Sequence, residues 1–540
     1  MDVSSKKRKI LYIPGLSHLP IILLILIWIL ALTFYLRLCS FGQYIDADVG
    51  NVGYLAWRMA EGEVLIDLEG PGKPPLYFML YSVFIRLFGL SSFVLKIYGA
   101  FFALVAVLAV YWVARKAYGS KVGLLAALLF GVFSSAPMVE GGTVTLETIM
   151  HLPYVLTIGL MIKGSESGRL RWYFLAGLCA ALSALVKQVG GVLFFVFLCN
   201  MVWEWWRERH FPFQRYAVLA GGALLPVFGM IIFYHLQGYA LNELYHSMLG
   251  SNLRYLQRGY EYTGFLKSFF RSMKFILPEN GLLWLGTTFA IADISRQIFQ
   301  GKGRGVDQLL LWWTFWSFAV LWISGTFYSH YFLQIIPAFS VLTAYGIVRS
   351  WRLLRFPSFF SRSVAQGAWA IILLVFVLIF VRTDHRYFFS YTPVEQTIFQ
   401  HKILGGYGIY NVAIQEIASY IRGRTNPSET IYVWGIAPQI YFLAQRRAST
   451  KYRNNYNLSQ FVTDNLAVAL RAYAPIVMEE IKRSPPAYIV QIFRLESFPE
   501  LHAFVQDHYI IDENMTFFFS PHRIRLYQRR QAIQTNQNPK

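Results

Sequence analysis

The chain has 540 residues, 56% hydrophobic and 14% charged, where an ordinary soluble domain carries roughly a quarter charged residues. Its net charge is +20. The basic residues gather in short linkers between apolar runs, which reads as membrane topology and contact with anionic lipid and argues against nucleic-acid binding.

A helix needs about 20 mainly apolar residues to cross a bilayer. Candidate spans fall at residues 19–36, 94–114, 122–139, 144–162, 172–186, 192–206, 216–236, 282–298, 309–326, 331–348 and 365–381, about eleven in all. No small-residue cleavage site follows the first, so it reads as a retained helix rather than a secretion signal. Cys39, Cys179 and Cys199 lie in or beside apolar runs, with no zinc or disulfide spacing.

The linkers set the expected orientation. Basic clusters precede the first span (Lys6, Lys7, Arg8, Lys9). They recur at Arg115, Lys116 and Lys121, at Lys163, Arg169 and Arg171, at Arg207, Arg209 and Arg215, at Arg296, Lys302 and Arg304, and at Arg349, Arg352, Arg355 and Arg362. Every second linker is thus basic and is expected on the cytoplasmic side. The linkers 39–93, 140–143, 187–191, 237–281 and 327–330, and everything after Arg382, are expected to face outward. Linker 39–93 carries helical apolar spacing at 51–61 and 76–88, which predicts amphipathic helices on the membrane surface. Linker 237–281 holds Tyr239, Tyr245, Tyr255, Tyr260, Tyr262, Arg254, Arg258 and Lys267, a composition suited to the interface.

Hydropathy falls after Arg382. Helices are predicted at 412–422, 466–482 and 499–507, and strands at 430–434, 487–492 and 523–527. The expected fold class is a polytopic α-helical membrane protein, N-terminus inside and C-terminus outside. A transmembrane unit (1–382) precedes an extracytoplasmic soluble α/β domain (383–540). The chain is expected in the plasma (inner) membrane.

Chemistry concentrates on the expected outer side. Asp46 and Asp48 follow the first span, and Lys73 precedes Pro74 and Pro75, which fix the backbone after it. A carboxylate takes a proton or orients a hydroxyl; a lysine binds phosphate as a point charge. Asp48 also reads as the cap of the helix that follows, and Lys73 as a lysine snorkelling to the interface. Glu147 lies near the outer end of the fourth run, where an ionisable group is expensive and usually paired or functional. Lys187, His330 and Tyr331 lie at the outer ends of other runs. The charge rule assigned sides without reference to these residues, so their convergence points to one shared site.

These motifs resemble the protein O-mannosyltransferase-like glycosyltransferases. That group includes the aminoarabinose transferases acting on lipid A, within the C-type superfamily of multi-spanning, lipid-sugar-using enzymes. The family's acid pair and following Tyr-Ala-x-x-Ala correspond to Asp48-Val49-Gly50-Asn51-Val52-Gly53-Tyr54-Leu55-Ala56. Val49 replaces the usual Glu, Val52 replaces the usual Tyr, and Asp46 is an extra acid. The family's His/Glu-Lys-Pro-Pro resembles Gly72-Lys73-Pro74-Pro75, with Gly72 in place of a possible metal ligand. Thr145-Leu146-Glu147, Lys187-Gln188-Val189-Gly190, His330-Tyr331-Phe332 and the run from Ile431 to Gly435 also look like family positions.

The resemblance implies a polyprenyl-phosphate sugar donor, a hydroxyl acceptor on a protein, lipid or glycan, and inversion at the anomeric carbon. Asp48, with Asp46 as alternate, is the expected catalytic carboxylate, orienting or deprotonating the acceptor hydroxyl. Lys73 and Arg58 are the expected donor-phosphate ligands. Glu147, Lys187, His330 and Tyr331 are the expected donor or acceptor contacts. Metal ligands do not cluster, so no obligatory metal is expected, although a divalent ion stays compatible. The alternative readings are a polyprenyl-linked lipid transporter and a non-catalytic membrane binding or assembly protein. No inverted repeat supports the first, and intact Asp48 and Lys73 argue against the second.

Overall fold

The computed structural model describes residues 19–64, 72–245, 264–323, 325, 327–353, 362–402, 407–452, 466–519 and 522–530. The first part of the chain is helical: α1 Leu19–Cys39, α2 Ala47–Ala60, α3 Leu76–Phe88, α4 Ser92–Tyr118, α5 Ser120–Phe133, α6 Leu146–Ser167, α7 Leu170–Val186, α8 Leu193–Glu208, α9 Phe213–Leu236, α10 Leu241–Tyr245, α11 Phe265–Phe299, α12 Gly305–Ile323, α13 Ile336–Leu353 and α14 Arg362–Phe389. Among the described residues, eight helices are long and apolar enough to cross a membrane. The expected spans at 122–139 and 172–186 fall on α5 and α7, which are apolar but shorter. The one at 144–162 falls on α6, which Glu147 and His151 make more polar.

Helix α13, with its leading turn, buries 78% of its most apolar window, whereas α14 buries none of its own. The first is therefore central and the second lines the lipid-facing rim. One expectation needs correction. Residues 265–281 belong to α11, a continuous 35-residue helix, rather than to a loop. Their charges suggested a linker, but Lys267, Arg271 and Lys274 punctuate an apolar helical pattern that runs on through Pro278. The tyrosines and arginines at 254–262 lie outside the described residues.

After α14 come α15 Pro393–Gln400, α16 Tyr407–Arg424, β1 Thr430–Trp434, α17 Gln439–Ala444, β2 Arg447–Ala448, α18 Leu466–Arg483, β3 Tyr488–Gln491, α19 Pro499–His508, β4 Tyr509–Phe519 and β5 His522–Arg529. The strands form one sheet in the order β2-β1-β3-β5-β4. β1 pairs in parallel with β2 and β3, and β5 pairs antiparallel with β3 and β4. Alternation along β1 sends Ile431 and Val433 to a face packed by Ile414, Ile417 and Ile421 of α16. Tyr432 and Trp434 go to the opposite face, against Val477 and Ile481 of α18 and Leu501 and Val505 of α19. The sequence pattern missed β4, because an irregularity between Ile511 and Thr516 places Asp512, Glu513 and Asn514 in mid-strand and breaks the alternation.

The sheet unit docks on α2 through α17. A Cβ on Gly50 would lie 2.1 Å from Cβ and 2.4 Å from Cα of Gln439, and one on Gly53 would lie 2.8 Å from the Phe442 ring. The Tyr54 hydroxyl accepts the Ala448 N–H at 3.0 Å, and Arg447 pairs with Glu61 at 3.0 Å. Small residues on α2 are therefore what lets the backbones approach. Gly50→Val must push Gln439 backbone aside, so we expect a loss on the order of 1–3 kcal/mol, the usual size of overpacking. A thermal unfolding midpoint in detergent that did not fall would contradict this docking.

Candidate active site

The site begins where α1 gives way to α2. Asp46 has extended backbone (φ −88°) and caps α2, its Oδ1 accepting the Val49 N–H at 2.8 Å. That leaves Asp48, one residue into the helix, with its side chain 69% exposed and 3.1 Å from Lys73 Nζ. The cap expected of Asp48 is thus supplied by Asp46. Lys73 and its proximity to Asp48 depend on the turn before α3. Gly72 takes the left-handed conformation (φ 60°), where any side chain is disfavoured, and its carbonyl accepts from Gln188 Nε2 at 3.0 Å. The glycine that departs from the family's His/Glu therefore meets a backbone need. It also ties the lysine to the turn after α7.

That turn carries Lys187, which forms an ion pair with Glu147. Glu147 lies in the first turn of α6 and is 1% exposed. Lys187 Nζ also stands 4.6 Å above the Tyr331 ring, a cation–π distance. His330 and Tyr331 sit on the 3-10 turn Ser329–Ile335 that leads into α13. His330 Nδ1 lies 3.0 Å from Glu140 Oε2, and its ring meets Tyr331 edge-on at 4.8 Å.

Three acid–base pairs therefore converge: Asp48–Lys73, Glu147–Lys187 and Glu140–His330. They act on one another. The Lys73 ammonium foremost, with His330 and Lys187 adding to it, draws the Asp48 carboxyl down to about 2. Burial works to lower Lys73, but Asp48, Glu147 and Asp46 outweigh it and raise the ammonium above its ordinary value. Asp46 is raised, chiefly by burial, against the opposing field of His401.

The structure brings Asp46, Asp48, Lys73, Glu147, Lys187, His330 and Tyr331 to one place. Arg58 is engaged elsewhere, by Glu61 and by Glu63, whose Oε2 accepts its Nε–H at 3.1 Å. The sequence reading passed over three neighbours. Glu140 stood beside the more conspicuous Glu147. Tyr407, whose hydroxyl lies 3.4 Å from the Ala47 nitrogen, and His401, packed on Tyr407 at 5.2 Å, come from the other side of the last span. Among the described residues, no group of three or more His, Cys, Asp or Glu side chains is arranged to hold a metal ion.

Comparison with known proteins fits this geometry. Residues 72–233, from the Lys73 turn through α9, match the sequence profile of the dolichyl-phosphate-mannose-protein mannosyltransferase family. No curated protein sequence matches the chain. Among solved structures, ArnT from Cupriavidus metallidurans bound to undecaprenyl phosphate superposes with a TM-score of 0.56 at 14% identity, covering 97% of this chain and 100% of that one. The apo oligosaccharyltransferase of Archaeoglobus fulgidus gives 0.54 at 13% identity, covering 90% of this chain and 71% of that one. The chain is therefore a multi-spanning membrane protein that shares the fold of these two structures, and its segment 72–233 matches the mannosyltransferase-family profile.

Proposed function

We propose that the protein moves a sugar from a polyprenyl-phosphate donor to a hydroxyl acceptor on a protein, lipid or glycan, with inversion. The site lies on the extracytoplasmic face of the membrane, and the unit that follows α14, rather than one beginning at residue 383 within that helix, stands over it as a soluble domain. The observation that carries this reading is the Asp48–Lys73 pair, 3.1 Å apart and open on the Asp48 side. The structural neighbour ArnT holds undecaprenyl phosphate on the same fold, which supports a lipid-phosphate donor.

In the reaction the acceptor oxygen attacks the anomeric carbon as the bond from that carbon to the phosphate oxygen breaks. Asp48 orients the hydroxyl and takes its proton. The bonding electrons leave with the polyprenyl phosphate, which gains one negative charge, and Lys73 meets that developing charge. Glu147, held by Lys187, positions the sugar, and the Tyr331 face supports the lysine. One displacement at one carbon gives inversion.

The test is transfer of radiolabelled sugar from a panel of polyprenyl-phosphate sugars in proteoliposomes. Label moving to an acceptor or to water with the wild type alone names the donor. Tight lipid binding with no turnover on any donor would move the protein to the transporter or binding class.

A further inference from the structure

Glu140 occupies a position that its backbone disfavours. It ends the 3-10 turn Pro137–Val139 with φ 57° and ψ 33°, the left-handed region in which Cβ crowds the following carbonyl. Glycine is the residue suited to such a place, and glycines follow at 141 and 142. The carboxylate is also buried, with 4% of the residue exposed. A strained backbone and a buried charge together need a reason.

The surroundings hold this conformation from several directions. The Glu140 N–H donates to Pro137 O at 2.9 Å, and Thr143 Oγ1 donates to Glu140 O at 2.6 Å. Behind the turn, Glu279 Oε1 on α11 accepts the Met138 N–H at 3.0 Å. The side chain is thereby directed at His330 Nδ1, 3.0 Å away. Tyr328 lies parallel to the imidazole at 6.1 Å, and Tyr331 meets it edge-on at 4.8 Å. With Nδ1 committed to Glu140, Nε2 is the ring nitrogen left to meet a ligand.

We infer that Glu140 is a positioning residue. It fixes the His330 ring as an imidazolium with Nδ1–H toward the carboxylate, so that Nε2–H donates to a phosphate oxygen of the lipid donor beside Lys73. The inference rests on the transferase reading and adds a second phosphate contact and the residue that orients it. A carboxylate that sets the role of the distal ring nitrogen is a general device for functional histidines.

Glu140→Gly separates this role from a structural one, because glycine relieves the backbone while deleting the carboxylate. We expect its melting temperature in detergent to equal or exceed that of the wild type. Its kcat should fall on the order of 10- to 100-fold, the range seen when the partner orienting a functional histidine is lost. Glu140→Gln, which keeps an acceptor of the same size, should recover part of the rate. His330→Ala should lose as much as Glu140→Gly, and the double variant no more than either. Wild-type turnover by Glu140→Gly, or multiplied losses in the double variant, would overturn the inference. Solid-state NMR of 15N-histidine protein gives a readout independent of turnover. The His330 resonances, identified by their loss in His330→Ala, should show both ring nitrogens protonated, and Nε2 should shift on addition of undecaprenyl phosphate. An inactive wild type that still shows both signatures defeats the transferase reading but not the pair; absence of both in a folded protein defeats the pair.

Discussion

Asp48→Asn should abolish most sugar transfer, with kcat lowered on the order of 10²–10⁴-fold, the contribution of a positioned proton acceptor. The fold should survive. Asp48 caps no helix, since Asp46 accepts the Val49 N–H, and the Asp48 side chain is open on the side away from Lys73. Asparagine has the same shape and loses only the charge and the basicity. The companion variant makes the test selective. Asp46→Asn replaces one good cap by another, so it should leave stability within about 0.5 kcal/mol and retain most of the rate. Single-turnover release of labelled sugar reports both. A fully active Asp48→Asn beside an inactive Asp46→Asn would exchange the two roles. Full activity in both would remove the acid pair from the mechanism.

The distinction between Asp46 and Asp48 shows what the sequence carried. Both acids were conspicuous, and so was their placement before an amphipathic helix. Which one capped was decided by where α2 begins, at Ala47, and helix starts are read from sequence only to within a few residues. Lys73, Glu147, Lys187 and His330 were legible because charge at the end of an apolar run is conspicuous in itself. Their pairing was not, because Lys187 reaches Glu147 across two helices and His330 reaches Glu140 over 190 residues of chain. Glu140 was hidden for a physical reason: its distinguishing property is a positive φ, which no composition pattern expresses. The partners of Arg58 were not legible, because helical spacing gives a face but not a partner, and the structure pairs it with Glu61 and Glu63. In the C-terminal unit, β1 and β3 stood out because strands buried on both faces are continuously apolar. Two-residue β2 and irregular β4 lacked any such run.

Lys73→Ala should lower kcat on the order of 10²–10³-fold, the loss expected when one preorganised group facing the developing charge is removed. A second consequence follows from the electrostatics of the pair. Lys73 is the principal reason that the Asp48 carboxyl is held at about 2, below the ordinary carboxylate value near 3.9. A depressed carboxyl is fully ionised above its ordinary range and is protonated only as pH falls through the depressed value. The wild-type rate should therefore show no loss of the Asp48 base until pH falls below about 4, where a carboxyl depressed to about 2 begins to protonate. Without the ammonium, the weaker fields of His330 and Lys187 still lower the Asp48 pKa but the largest contribution is gone, so it rises. The acid limb of the rate must then move upward in pH. Lys73→Arg keeps the charge but spreads it over a planar fork, so it should restore the acid limb more fully than the rate. The measurement is kcat for lipid-sugar turnover across pH for the three proteins. An acid limb that stays in place when the lysine is gone would mean that Asp48 is not the group whose ionisation the reaction needs. A rate unchanged at every pH would mean that the leaving phosphate is met by some other cation.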